Sequence, residues 1–178
     1  MPFRVHLAWC LTVFRLVAAP AWVGIFFLCP PPSPWPLTAA LILEATDALD
    51  GLLARGSSTT LGAVLDPLAD SLFHLLTMLS LGMAGHFSVW WMLPLLYRES
   101  LVAGVETVAG ILGRPCFNPR REIWKSRVLS ATILLLLGLW TWKGPRAWVA
   151  ALLVVQSVYC LCDAAALLLS QWKRLTAP

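Results

Sequence analysis

The chain has 178 residues, 59% of them hydrophobic and 12% charged, with a mean hydropathy of +0.77. Water-soluble domains carry about 25% charge, so the composition excludes an ordinary soluble enzyme. It points to an all-α, polytopic membrane protein in a single domain, residues 1–178. The net charge of +4, from 13 Lys and Arg against 9 Asp and Glu, reads as membrane orientation and phosphate handling. No basic stripe is interleaved with aromatics, so no nucleic-acid partner is expected.

Residues 2–9 (PFRVHLAW) are short and mixed, and read as an interfacial segment at the headgroups. Six transmembrane helices follow, at about 11–29, 37–55, 62–84, 89–112, 128–142 and 147–170. Pro20 falls inside the first, where a bundle tolerates it. CPPPSPWP (29–36) is a stiff turn, GSSTTL (56–61) a polar link, and GHFS (85–88) a tight turn. The longest hydrophilic stretch is GRPCFNPRREIWKSR (113–127), and WKGPR (142–146) closes the last turn. The fifth span is short unless it begins earlier, near Ile123. The five cysteines, Cys10, Cys29, Cys116, Cys160 and Cys162, have no metal-type spacing and read as small packing residues.

Loop charges orient the chain. Arg4, Arg55, the basic loop (Arg114, Arg120, Arg121, Lys125, Arg127) and the tail (Lys173, Arg174) share one side, and the other has only Lys143 and Arg146. The positive-inside rule makes the first side, with both termini, cytoplasmic, in a bacterial-type inner or plasma membrane. Trp9, Trp35, Trp90, Trp91, Trp140, Trp142, Trp148 and Trp172 lie near span ends, as an aromatic belt requires.

The chemistry concentrates in DALDGLLARGSSTTLGAVLDPLAD, residues 47–70. Asp47 and Asp50 close the second span, and Asp66 and Asp70 open the third, so all four reach the cytoplasmic side. Spacings of three and four place each pair on one helical face. Two adjacent antiparallel helices would then form a cup of carboxylates. Ionised groups in a membrane are costly and usually functional. Hard oxygen donors suit Mg²⁺ or Mn²⁺, and two ions about 3.5–4 Å apart clamp a phosphoryl group in displacement. Gly51, Ala54 and Gly62 leave room for a bulky ligand. A structural plug salt-bridged by Arg15, Arg55 and Arg98 is the alternative, but three cations are too few for the acids of the spans. An ion or proton transporter would spread its acids through the membrane depth, and these gather at one face.

Asp47-x-x-Asp50-Gly51-x-x-Ala54-Arg55 followed by Gly62-x-x-x-Asp66-x-x-x-Asp70 resembles the signature of the CDP-alcohol phosphatidyltransferases. The resemblance implies a membrane enzyme of six transmembrane helices, a homodimer in the lipid bilayer. Such an enzyme moves a phosphatidyl group from a CDP-linked donor to an alcohol and releases CMP. It further implies that Asp47, Asp50, Asp66 and Asp70 hold two metal ions, and that Asp70 takes the acceptor's proton. Asp47, Gly51, Ala54 and Arg55 would contact the CDP moiety. LTVFRLVAAP (11–20), LDPLAD (65–70), Arg98-Glu99 and Trp124-Lys125-Ser126 are similar to the branch that uses CDP-diacylglycerol and glycerol 3-phosphate. There Arg98 and Lys125 are the candidates for the acceptor phosphate.

Two departures stand out. The family usually has eight residues between the arginine and the second glycine, and here GSSTTL supplies six. In that branch an arginine commonly lies eight residues after the Arg98 position, and here it is Glu106. The charge reversal keeps open another acceptor: inositol phosphate, another polyol or phosphatidylglycerol. Outside the motif, His74 reads as a buried polar contact, His86 as idle in the outer turn, and Asp163 as a lone acid inside the last span.

Overall fold

The structure is a computed structural model that describes residues 3–53, 60–111 and 119–175, with side chains for 10–47, 49, 65, 68–105 and 127–169. It is all-helical. The helices are α1 (Phe3–Leu28), α2 (Trp35–Leu53), α3 (Thr60–Met83), α4 (Leu93–Ile111), α5 (Pro119–Thr141) and α6 (Arg146–Leu175), with a 3₁₀ turn, Val89–Met92, leading into α4. No strand occurs among the described residues. Cys10–Leu28 and Arg146–Leu169 are long and apolar enough to cross a membrane; Leu68–Met83 and Arg127–Thr141 are shorter apolar segments.

Thr60 and Leu61 of the expected link already belong to α3, and α6 runs on to Leu175; two boundaries depart further. The N-terminal lead-in is not a separate interfacial piece; it continues into α1 without a break, because neither Gly nor Pro interrupts it before Pro20. Helix α5 begins at Pro119 instead of near 128, absorbing half of the hydrophilic loop. Proline at a first helical position costs no hydrogen bond and presets φ. The charges of PRREIWKSR hide a segment rich in good helix formers.

Helix ends are closed locally. After α3, Gly85 takes φ +74°, its N–H bonds to Gly82 O at 3.0 Å, and the His86 N–H bonds to Leu81 O at 3.0 Å. This paired pattern satisfies carbonyls that the helix leaves over. The same device ends α5, with Lys143 in the left-handed position at φ 52° and the Gly144 N–H on Leu139 O at 2.7 Å.

Helix α1 packs against both α2 and α3, and α5 packs against the same two helices. These four form a ring. Helices α4 and α6 pack on each other outside it, with α6 also against α5 and α4 against α3. Among the described residues α2 and α3 scarcely approach each other along their backbones. Their side chains do meet, Glu44 of α2 against His74 of α3, and α1, which the sequence did not place there, stands against both and links them.

Aromatic side chains fill the ring. Phe26 stacks on Trp140 at 4.4 Å between centroids, and Trp22 meets Phe73 edge-on at 5.6 Å, geometries that add to area burial. The buried Trp22 indole N–H donates to Pro36 O at 2.9 Å. Trp140 thus belongs to the core and not to the aromatic belt. Trp35, Trp90, Trp142 and Trp148 do face outward, 64–76% exposed. Trp140 and Trp142 are two residues apart, on nearly opposite faces of a helix, so closeness to a span end does not decide which way the ring points. Cys160 is buried, Cys29 is half-buried, Cys10 and Cys162 are exposed, and none of these four forms a disulfide; Cys116 lies outside the described residues.

Candidate active site

The site is built around Arg15. Midway along α1 it is 6% exposed, too deep for water to solvate its charge. Nη1 donates to Asp47 Oδ1 of α2 at 2.5 Å, and Nη2 pairs with Asp70 Oδ1 of α3. The guanidinium fork suits two separate carboxylates. The sequence marks Arg15 as one of three nearby cations and as part of the LTVFRLVAAP stretch, with no partner assigned. In the structure it is the residue on which two of the four aspartates converge.

One turn deeper lies a second polar layer. Glu44, three residues before Asp47, and His74, four after Asp70, meet with His74 Nε2 3.4 Å from Glu44 Oε1. The same nitrogen lies 3.1 Å from Ser130 Oγ on α5. His74 is buried and is the polar contact expected of it. Glu44 and Ser130 were not legible as site residues. The signal was the helical spacing of Glu44 from Asp47, which sets it on the same face. Arg15, Leu43, Glu44, Asp47, Asp70 and Phe73 line a cavity of about 10 Å³, room for roughly one water.

Three carboxylates therefore face one guanidinium, an excess of negative charge in a half-buried place. That excess, carried by hard oxygen donors, fits a divalent cation. Among the described residues no group of three or more His, Cys, Asp or Glu forms a metal-sized cluster. The side chains of Asp50 and Asp66, on α2 and α3, lie outside the described residues, as do those of Gly51, Ala54, Arg55, Glu106 and Lys125 and the link 56–59.

Arg98 stands apart from this cup. It is 1% exposed, and its Nε and Nη2 lie 2.8 and 2.7 Å from Asp163 Oδ2 of α6. Nη1 donates to Glu99 Oε1 at 2.9 Å. Asp163 is accordingly not a lone acid but the partner of Arg98. The pair spans 65 positions, beyond any local spacing. The signal for it was the presence of a base and an acid in two apolar stretches, each of which burial obliges to find an opposite charge.

A helical bundle in which Asp47 and Asp70 meet at one arginine, within the sequence spacing D-x-x-D-G-x-x-A-R and D-x-x-x-D, defines a class. The chain belongs to the CDP-alcohol phosphatidyltransferase family, whose match covers residues 5–162. It is a membrane protein of that enzyme family, whose members generally depend on a divalent metal. Over 149 residues it is 32% identical to the CDP-diacylglycerol–glycerol-3-phosphate 3-phosphatidyltransferase of Escherichia coli (strain K12), with 78% of each chain covered. The enzymes of the same name from Escherichia coli O157:H7 and Shigella sonnei (strain Ss046) match with the same identity and coverage. No solved structure matches the chain.

Proposed function

We propose that this protein transfers the phosphatidyl group of CDP-diacylglycerol to the hydroxyl of glycerol 3-phosphate and releases CMP. The observation that carries this reading is the convergence of Asp47 and Asp70, both at motif positions, on one buried cationic point. Likeness to the glycerol-3-phosphate enzymes supports the acceptor. A single six-span domain works as a homodimer in the bilayer, of inner or plasma membrane type, with its site and termini on the cytoplasmic side.

The acceptor oxygen forms a bond to the β-phosphorus of the donor, the bond from that phosphorus to the CMP oxygen breaks, and the hydroxyl proton passes to Asp70. A general base must lie within hydrogen-bond reach of its proton, and Asp70 lines the cavity beside Asp47. Asp47, Asp50, Asp66 and Asp70 are the residues to hold Mg²⁺ or Mn²⁺, as a two-ion site. When bound, the metal supplies neutralisation of the donor pyrophosphate and of the leaving CMP. Gly51, Ala54 and Arg55 receive the CDP group with Asp47, and Lys125 the acceptor phosphate. Arg98 was the other candidate for that phosphate. Its donors already face two carboxylates.

The test is CMP release by the purified protein given CDP-diacylglycerol, Mn²⁺ and a panel of alcohols. Glycerol 3-phosphate is expected to drive release. Asp70→Asn is expected to lower turnover about 10²–10⁴-fold, the usual worth of a positioned base, while CDP-diacylglycerol still binds. Folded protein that gives no acceptor-dependent CMP overturns the reading. Glu106 favours a second reading with the same chemistry and another acceptor. In that case inositol phosphate or a polyol outperforms glycerol 3-phosphate, and Glu106→Arg restores the latter's use.

A further inference from the structure

A line of buried polar contacts crosses three helices and ends beside Asp70. It starts on α6, where Asp163 receives Arg98 Nε and Nη2 from α4. Arg98 Nη1 donates to its neighbour Glu99 at 2.9 Å. The other oxygen of Glu99 accepts from Ser71 Oγ on α3 at 2.6 Å. The side chains of Arg98, Glu99 and Asp163 are 1%, 14% and 9% exposed. Ser71 is the residue after Asp70.

Packing alone does not call for such a line. Apolar side chains of similar volume would join α4 to α6 without the cost of burying three charges. What the charges add is direction. Successive residues on a helix are about 100° apart around its axis. Asp70 is held on one flank of α3 by Arg15, and Ser71 on the next flank by Glu99. Two anchors at different azimuths fix the roll of α3, and the roll sets where the Asp70 carboxylate points.

We propose that Asp163, Arg98 and Glu99 are positioning residues. They orient Asp70 through Ser71, and so the last helix, which carries none of the family motif, sets the geometry of the catalytic carboxylate. The two carboxylates around Arg98 give the line a net negative charge, which repels the acceptor phosphate instead of receiving it. The activity arm of the test rests on the proposed transfer reaction, and the metal-binding arm does not.

The experiment uses full-length protein in detergent micelles with Ser71→Ala, Asp163→Asn and the double variant. Mn²⁺ affinity is measured by electron paramagnetic resonance of the free ion, and CMP release gives kcat and KM. Each single variant is expected to weaken Mn²⁺ binding about fivefold and lower kcat about tenfold, within the range for residues coupled to a site through contacts. KM for donor and acceptor should stay near wild type. The double variant should be no worse than the worse single, since both cut one line. A fall in thermal midpoint with unchanged Mn²⁺ affinity and kcat would reduce the line to packing and overturn the proposal. So would effects that multiply in the double variant, or a rise confined to the acceptor KM, which would make Arg98 a phosphate ligand. If Asp163→Asn does not fold, Ser71→Ala alone decides, by the same Mn²⁺ affinity and kcat. If wild-type protein releases no CMP, the transfer reading fails and the Mn²⁺ affinities still decide the line.

Discussion

Replacing Arg15 by methionine keeps the length of the buried stem and removes its charge. Asp47 and Asp70 then face each other's charge across the cavity with no guanidinium between them. Breaking a buried ion pair by deleting one partner costs about 3–5 kcal/mol. The Asp47 side chain is 36% exposed and that of Asp70 23%, so water screens part of the penalty, and about 2–3 kcal/mol remains. For a chain of this length each kcal/mol moves the thermal midpoint by about 2–4 °C, giving a drop of about 4–12 °C. The assay is thermal unfolding in micelles, once with a chelator and once with excess Mn²⁺. In chelator the full drop is expected. With Mn²⁺ most of it should vanish, because the ion takes over as counter-charge to the same carboxylates and stabilises the state that binds it. Arg15→Lys, which keeps the charge but not the two-pronged geometry, should fall between. An equal drop with and without Mn²⁺ would show that Arg15 serves packing and would refute the reasoning.

Three further outcomes are expected. Trp140→Ala empties the place stacked on Phe26 and should cost about 3–5 kcal/mol, as large-to-small core changes do, with KM unchanged; a loss below about 1 kcal/mol by denaturant titration would mean that the ring collapses around the gap. Lys143→Gly relieves a left-handed backbone position and should stabilise by about 0.5–1 kcal/mol after glycine's own entropy cost, read as a small rise in thermal midpoint. Burial pushes the His86 imidazole below its ordinary pKa of 6.5, and Arg146 adds to the shift. The unfolded chain then binds the proton more readily than the folded one, so stability should fall as pH drops below about 6.5. His86→Gln should flatten that slope, and an unchanged slope in the variant would remove His86 from the account.

What could be read from the sequence followed from local regularity. Four aspartates at spacings of three and four announce a face, and long apolar runs announce helices, so the all-helical class and the positions of Asp47 and Asp70 were within reach. The boundary of α5 was hidden because its first turns are charged, and hydropathy separates apolar from polar, not helix from loop. Chain adjacency suggested that α2 and α3 pack together, yet a third helix stands against both; nothing in a connection of a few residues dictates which helix fills the groove. The bonds from Arg98 to Asp163 and from His74 to Glu44 and Ser130 join residues far apart in sequence. The cost of burying each group demands a partner but does not say which one. Trp140 shows the same limit for packing: its nearness to a helix end was legible, and its azimuth was not.

The place of Arg15 has a consequence for how the protein is made. The first helix of this sequence enters the bilayer carrying a charge whose partners do not yet exist. Asp47 comes 32 residues later, about 2–6 s at ordinary rates of synthesis, and Asp70 a further helix after that. An arginine at the centre of a span adds about 2.5–3.5 kcal/mol to the cost of insertion, and Arg15, about one turn inside the start of Cys10–Leu28, adds less. The nascent first helix is thus held in the membrane by its apolar residues alone, against a penalty that eases when Asp47 arrives with the second helix and again when Asp70 arrives with the third. A chain stopped short of α2 would hold that charge with neither of its carboxylates.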